Sequence, residues 1–131
     1  MVIARFNFQL DENYNVILVD VFYKKSIFKF LLDTGASNSV IDVNELLIAG
    51  FSVNDIVQEV KIETANGIVN ADIFRLDELK SMGIQKRDFE ITAYDFLKSG
   101  IISEFDGVLG LDFFENHKIC IDFTNFEITI S

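Results

Sequence analysis

The sequence has no proline, no tryptophan, one cysteine and one histidine among its 131 residues. Because it also lacks any run rich in glycine or serine, no segment resembles a linker, and we expect a single domain over residues 1–131. The single cysteine, Cys120, cannot form a disulfide within the chain, which favours a reducing compartment. The single histidine, His117, has neither a second histidine nor clustered cysteines with which to bind a metal. We therefore expect neither a metal nor another cofactor.

Basic residues and long apolar runs are also scarce. The 11 Lys and Arg residues are outnumbered by 21 Asp and Glu residues, and the formal net charge is −10. An acidic surface is poorly suited to nucleic acid or anionic lipid, so we expect neither as a partner; it serves solubility or favours basic peptides. No apolar run approaches the roughly 20 residues that cross a bilayer, and no basic segment followed by an apolar one opens the chain. We therefore expect a soluble, cytoplasmic protein without membrane attachment.

Hydrophobic residues are plentiful, at 50% of the chain with 14 Phe, which is enough to form a core at this length. Alternation and β-branched or aromatic residues predict strands over residues 4–10, 14–23, 26–32, 39–41, 57–64, 68–76, 89–93, 119–123 and 126–130. Asp42, with Glu45 three residues later, predicts a capped short helix that ends at Gly50. Residues 96–103 fit either a short helix or a loop. The pattern predicts a mostly β fold with one or two short helices.

Short polar segments predict the connections between these strands. Residues 11–13 predict a turn, Lys24-Lys25 predicts a tight hairpin link, and Thr124-Asn125 joins the last two strands. Ala65-Asn66-Gly67 separates the strands at 57–64 and 68–76, and Asn-Gly is the strongest short signal for a hairpin. We expect this hairpin to have a mobile tip.

Two apolar segments that end in glycine stand far apart in the sequence, on either side of that hairpin. The first is Leu31-Leu32-Asp33-Thr34-Gly35, followed by Ala36-Ser37, and the second is Val108-Leu109-Gly110, followed by Leu111-Asp112. In this order, with the Asn-Gly hairpin between them, the segments resemble the retropepsin-like aspartic proteases. The resemblance organises most of the chain. It implies a mostly β, closed-barrel-like lobe with one or two short helices.

The resemblance also implies a homodimer that acts on a peptide or protein substrate. Two-lobed pepsin-like enzymes carry two Asp-Thr/Ser-Gly motifs in one chain, whereas this chain has one, so each copy supplies one Asp33. Two carboxyl groups that share one proton can hydrolyse a peptide bond without a metal, because one accepts a proton from water while the other protonates the carbonyl oxygen. The implied activity is that of an aspartic endopeptidase.

The residues after Asp33 have roles implied by the same resemblance. The Thr34 hydroxyl bonds to the partner's turn, and Gly35 allows close approach to the carboxylate. Ala36 carries no hydroxyl that could stabilise the ionised carboxylate, so we expect a mildly acidic to near-neutral optimum. The resemblance further implies that Val108, Leu109 and Gly110 form a structural ψ-loop.

The Asn-Gly hairpin resembles the flap that closes over an extended peptide in this family. The expected substrate contacts are Ser37 and the flap residues Thr64, Ala65, Asn66, Gly67 and Ile68. The tip departs from the family pattern, because it has one glycine and no tyrosine. We therefore expect a looser or differently shaped closure, and an inactive peptide-binding or dimerisation module stays open as an alternative function.

Plainer structural roles compete with the chemical ones at several positions. Asp33 can be a turn residue that bonds its own backbone, and Asp106 before Gly107 favours the same role. Asp112, with Glu115, favours a helix N-cap over a second catalytic acid. Cys120 lies in an alternating apolar stretch and is better explained as a small buried residue than as a nucleophile paired with His117.

Overall fold

A computed structural model describes residues 1–10, 16–64, 67–100 and 104–131. Its strands are β1 Ala4–Asn7, β2 Leu18–Tyr23, β3 Ser26–Leu32, β4 Val40–Asp42, β5 Ile56–Thr64, β6 Gly67–Ser81, β7 Ile84–Tyr94, β8 Gly107–Leu109, β9 Ile119–Asp122 and β10 Glu127–Ile130. Helix α1 covers Val43–Ile48, and short 3₁₀ helices cover Val53–Asp55 and Leu111–Phe114. The turn predicted at residues 11–13 and the first residues of the strand predicted at 14–23 lie outside the described residues.

Six strands close into a barrel. Their order is β2-β3-β8-β4-β7-β6, and a pairing of Phe22 with Lys80 joins β6 back to β2. Strand β5 pairs with the outer edge of β6. A closed ring satisfies the backbone groups that an open edge would leave unpaired. The prediction of a mostly β, closed-barrel-like lobe with a short helix is confirmed.

Alternating side chains fill the barrel. In β3, Phe28, Phe30 and Leu32 are buried, while the alternating residues Ile27 and Lys29 are exposed. Phe30 is fully buried and is joined in the core by Phe74, Phe113, Ile41, Leu46, Leu76, Leu79, Ile84, Ile91, Leu109, Ile128 and Ile130. Each such side chain contributes roughly 1.5–3 kcal/mol by leaving water.

Strands β1, β10 and β9 form a separate sheet from the two ends of the chain. Ile119 and Ile121 pack toward the core, so the residue between them faces the opposite side of the sheet. That residue is Cys120, which is a free, exposed thiol beside Thr129. The prediction that Cys120 fills the core is wrong, because the alternation of β9 places the two isoleucines inside instead.

The hairpin links are partly as predicted. Lys24-Lys25 joins β2 to β3, with Lys24 at φ 51°. Strands β6 and β7 run farther toward each other than predicted and meet at Met82-Gly83, where φ is 50° and 77°. Two successive positive φ angles are typical of the tight turn that suits a twisted hairpin. A Cβ on Gly83 would lie 2.8 Å from the Ala4 side chain, so the glycine allows β1 to pack against this turn.

Helix α1 begins and ends at the predicted residues. The Asp42 carboxylate accepts a hydrogen bond from the Asn44 N–H at 3.2 Å, and Gly50 follows the helix at φ 104°. The Phe51 and Gly50 N–H groups bond back to the last turn, the arrangement of a glycine-terminated helix. Residues 96–100 form turns, and residues 101–103 lie outside the described residues. No helix in the described ranges is long and apolar enough to cross a bilayer.

Candidate active site

Asp33 lies at the point where β3 leaves the barrel. Leu32 pairs with Leu109 in the parallel β3–β8 ladder, and the Asp33 N–H extends that ladder by donating to the Leu109 carbonyl at 3.0 Å. The Ala36 N–H donates to the Asp33 carbonyl at 3.1 Å and closes a tight turn. The backbone of Asp33 is therefore held from both sides.

Asp33 is half-buried as a residue, and its carboxylate is oriented by its own turn. Oδ1 accepts a hydrogen bond from the Gly35 N–H at 2.9 Å, and no donor among the described residues reaches Oδ2. A Cβ on Gly35 would lie 3.1 Å from Oδ1, so glycine keeps the space around the carboxylate open. Thr34 and Gly35 are exposed. The bond from Gly35 is the one expected of a turn aspartate, and it leaves the other oxygen available for chemistry.

The ψ-loop segment lies directly beneath this turn. Leu109 is fully buried, and Val108 is half-buried. A Cβ on Gly110 would lie 2.7 Å from the Ala36 carbonyl oxygen, and one on Gly107 would lie 2.5 Å from the Val40 carbonyl oxygen. Both glycines are therefore required by close backbone approach. The structure brings together the two glycine-containing segments that the sequence singled out.

Asp112 does not cap a helix. The 3₁₀ helix Leu111–Phe114 begins after Gly110 without a side-chain cap, so the prediction of an Asp112 N-cap is wrong. Both Asp112 oxygens instead accept the Ser39 N–H at 3.0 Å, and Oδ1 also accepts the Ser39 hydroxyl at 2.7 Å. Ser39 is fully buried and needs an acceptor for both donors, which a carboxylate supplies with charge-assisted bonds. This long-range partner outweighs a local cap.

Asp106 also bonds across the fold. It lies in a bend, as the sequence predicts, but its carboxylate accepts from the Lys29 N–H at 2.9 Å, and its own N–H donates to the Lys29 carbonyl at 2.7 Å. Its carbonyl accepts from the Asp42 N–H at 2.7 Å. Asp106 therefore ties the entry of β8 to β3 and β4.

A row of half-buried residues crosses the side of the barrel sheet that faces away from the core. The strand registers place these residues opposite one another in sequence: Leu18, Leu31, Val108, Val40, Thr92 and Ile73. We call this set the apolar row. Asp33 follows Leu31 by two residues, so the alternation of β3 directs it to the same face. The sequence alone does not reveal the row, because its members are related only through the strand registers.

The β5–β6 hairpin extends this face. Cross-strand pairs place Val60 opposite Ala71 and Ile62 opposite Val69 on the side that also carries Ile73. The opposite side of the hairpin is mostly charged or polar, with Glu59, Asp72, Lys61, Asn70, Glu63 and Ile68. The hairpin is therefore two-sided, and its apolar side continues the apolar row.

The described part of the hairpin ends at Thr64 and Gly67. These two residues pair across the strands, the Thr64 hydroxyl donates to the Gly67 carbonyl at 2.9 Å, and Gly67 has φ 114°. Ile68 is 74% exposed. Ala65 and Asn66, which the sequence assigned to the tip, lie outside the described residues.

An acidic cluster lies at the start of α1. Partial burial and the nearby carboxylates of Asp106 and Asp42 raise the pKa of Glu45 above its ordinary 4.5. Burial, and secondarily the Asp42 charge, also raises the pKa of Tyr94. Across the described parts of the chain, no group of His, Cys, Asp and Glu side chains is arranged to hold a metal ion.

A closed barrel with one Asp-Thr-Gly turn over a glycine-bounded ψ-loop defines a single aspartic protease lobe. The family model described as aspartyl protease matches residues 19–113, and the chain belongs to that family. Its fold is retropepsin-like: a crystal structure of a retropepsin-like aspartic protease from Rickettsia conorii matches with a TM-score of 0.71 and 19% sequence identity. That match covers 96% of this chain and 89% of the other. No curated protein shows significant similarity to the chain.

Proposed function

We propose that the chain is an aspartic endopeptidase that works as a homodimer of single 1–131 domains, each of which supplies one Asp33. The observation that carries the proposal is the placement of Asp33. Asp33 is a half-buried residue at the end of a barrel strand, one oxygen of its carboxylate is oriented by the Gly35 N–H, and an apolar face lies beside it. This is the environment that a positioned acid–base group requires.

A second copy supplies what one chain lacks. Peptide hydrolysis by this route needs one carboxylate and one carboxylic acid in contact with the same water. A twofold axis between two copies would bring the same turn from each chain together and make an isologous contact. Thr34, which the resemblance assigns to that contact, is exposed in the single chain, as is Gly35 beside it.

The proposed reaction conserves protons at each step. The ionised Asp33 accepts a proton from the bound water, and the protonated Asp33 of the other copy donates its proton to the carbonyl oxygen as the water oxygen attacks the carbon. The resulting tetrahedral diol collapses when the first Asp33 protonates the leaving nitrogen and the second takes a proton back from a hydroxyl. One Asp33 is again ionised and the other protonated, ready for the next turnover.

The apolar row and the apolar side of the β5–β6 hairpin are suited to bind an extended peptide that carries apolar side chains near the scissile bond. Each apolar side chain that leaves water against them contributes roughly 25 cal/mol per Å² of area buried. The hairpin would close over the peptide and exclude water, and its backbone would add hydrogen bonds. The formal charge of −10 favours basic residues in the outer parts of the substrate.

A second candidate is a module that binds peptides or dimerises without turnover. The flap tip favours it, because Gly67 is its single glycine and the tip contains no tyrosine. An inactive module would keep the apolar row for peptide capture and would need no shared proton. Cleavage of any peptide by the dimer separates the two functions.

The test is Asp33→Asn, assayed with a peptide library between about pH 3 and about pH 8, where a carboxyl pair of this kind operates. We expect complete loss of cleavage with the dimer still folded, and inhibition of the unmodified protein by a statine-type transition-state mimic. Asp88→Asn is the matched control, since Asp88 is exposed on β7. Undiminished cleavage by Asp33→Asn would reject the assignment, and no cleavage by a confirmed wild-type dimer would favour the inactive module.

A further inference from the structure

Asp112 fastens the loop that follows Asp33. Its carboxylate receives the Ser39 N–H on both oxygens at 3.0 Å and the Ser39 hydroxyl on Oδ1 at 2.7 Å. The same Ser39 hydroxyl oxygen accepts the Gly110 N–H at 2.9 Å. The bonds form a continuous chain from Asp112 through Ser39 to the glycine beneath the catalytic turn.

Backbone bonds run alongside this chain. The Leu111 N–H donates to the Ala36 carbonyl at 2.8 Å, and the Asp112 N–H donates to the Ser37 carbonyl at 3.3 Å. Residues 36–39 therefore lie along residues 110–112. Asp112 contributes to this contact twice, since its N–H donates to the Ser37 carbonyl and its side chain accepts from Ser39.

Among the described residues, Asp112 is the acceptor for both Ser39 donors. Ser39 is fully buried, and its N–H donates to Asp112. Removing the carboxylate would leave both Ser39 donors without their acceptor inside the protein, which is unfavourable enough for the loop to shift. If residues 36–39 move, the Asp33 turn moves with them, because the Ala36 N–H bonds to the Asp33 carbonyl.

We propose that Asp112 is a positioning residue for Asp33, acting through Ser39 and Gly110. The proposal rests on the function proposed above. Asp112 takes no proton in the reaction; it fixes the loop so that the Asp33 carboxylate meets its counterpart and the water at reacting distance. A displacement of about 1 Å at such a site can lower the rate about 100-fold. The apolar row stands on barrel strands and keeps its place.

This arrangement predicts different effects on kcat and KM. Asp112→Ala lowers kcat at least about tenfold by displacing Asp33, while KM changes less than kcat, because the apolar row is intact and Ser37 is the one expected substrate contact in the shifted loop. Asp112→Asn restores kcat to within about threefold of wild type, since its amide oxygen can accept the Ser39 donors. Rates are expressed per folded dimer, counted by circular dichroism and light scattering rather than by an active-site ligand, so that unfolding alone cannot imitate the result.

Asp55 offers a matched control. Its carboxylate also accepts the N–H and the hydroxyl of a serine, Ser52, at 2.8 Å and 3.5 Å, but on an exposed 3₁₀ helix. Asp55→Ala removes the same chemistry away from the turn and leaves kcat unchanged. Equal losses of kcat in Asp55→Ala and Asp112→Ala would overturn the proposal, as would a loss in Asp112→Ala that appears in KM alone.

A second measurement tests the positioning without any activity. The Gly35 N–H donates to Asp33 Oδ1. The rate of hydrogen exchange at the Gly35 amide therefore reports on how firmly the carboxylate is held in position. Exchange at Gly35 should be at least about tenfold faster in Asp112→Ala than in Asp55→Ala. Unchanged exchange at Gly35 would overturn the proposal even if peptides are cleaved. Faster exchange in a protein whose wild type cleaves no peptide would instead refute the proposed function and leave the link from Asp112 to Asp33 standing.

Discussion

The substitution Gly110→Ala distinguishes a displacement of the Asp33 turn from a general loss of stability. Gly110 has φ −101°, a conformation that alanine adopts freely, so the substitution introduces no backbone strain. The new Cβ would instead lie 2.7 Å from the Ala36 carbonyl oxygen and 2.9 Å from the Asn38 carbonyl carbon. Both neighbours are backbone atoms, so the 36–38 loop itself has to move by several tenths of an ångström.

The cost follows from two opposing effects. Overpacking a closely packed site costs about 1–3 kcal/mol, and replacing glycine with alanine recovers about 0.4–1 kcal/mol by restricting the unfolded chain. We expect the free energy of unfolding of Gly110→Ala, measured in urea titrations, to lie about 0–2.6 kcal/mol below that of wild type. Because the Ala36 N–H in this loop bonds to the Asp33 carbonyl, we also expect kcat to fall at least about tenfold.

Gly50→Ala is the matched comparison. Gly50 has φ 104°, and apart from its chain neighbours no described residue has an atom within 4 Å of the point that a Cβ would occupy, so alanine there costs about 1–3 kcal/mol through backbone conformation alone. Gly50 follows α1, outside the Asp33 turn, and kcat per folded dimer should stay at the wild-type value. The reasoning is refuted if Gly110→Ala keeps wild-type kcat, or if Gly50→Ala loses as much of it.

Three further outcomes follow from the site and its surroundings. Val108→Ala removes two methyl groups from the apolar row and should lower kcat/KM for apolar peptides by up to about tenfold, with little effect on peptides that carry small residues there; equal effects would contradict the row as a substrate surface. Because Ala36 carries no hydroxyl, the rate should peak between mildly acidic and neutral pH, and maximal turnover near pH 2 would count against that argument. The raised pKa of Glu45 means that its contribution to stability is complete below its unfolded pKa and is lost as pH rises through its folded pKa. The free energy of unfolding of Glu45→Gln, relative to wild type, should therefore increase from about pH 4 to about pH 7, by well under about 1 kcal/mol because the side chain is partly solvated; a decrease over that range would reverse the sign.

Local signals predict the parts of the fold that depend on a few neighbouring residues. The Lys24-Lys25 link and the helix between Asp42 and Gly50 lie where their sequences indicate, because hairpin links and caps are satisfied within a few residues. The Met82-Gly83 turn escapes such signals, since methionine is an unusual residue at φ 50° and is stabilised there by burial at 6% exposure.

The two wrong assignments share a physical cause. Asp112 has good local capping chemistry, yet it binds Ser39, which is 73 residues away in sequence. Cys120 lies in an apolar stretch, yet the strand pairing of β9 directs it outward. Both outcomes depend on long-range partners. The same limit hides the apolar row, whose members each come from a different strand of the barrel.

The central claim is that one site needs two Asp33 residues, and subunit mixing tests it most directly. Wild-type chains and Asp33→Asn chains are combined in equal amounts, allowed to exchange, and assayed at a fixed total concentration. If both chains contribute to each site, about one quarter of the dimers are active, and the rate falls to about one quarter of that of the wild type at the same total concentration. A rate of about one half would mean that each chain acts alone and would contradict the account.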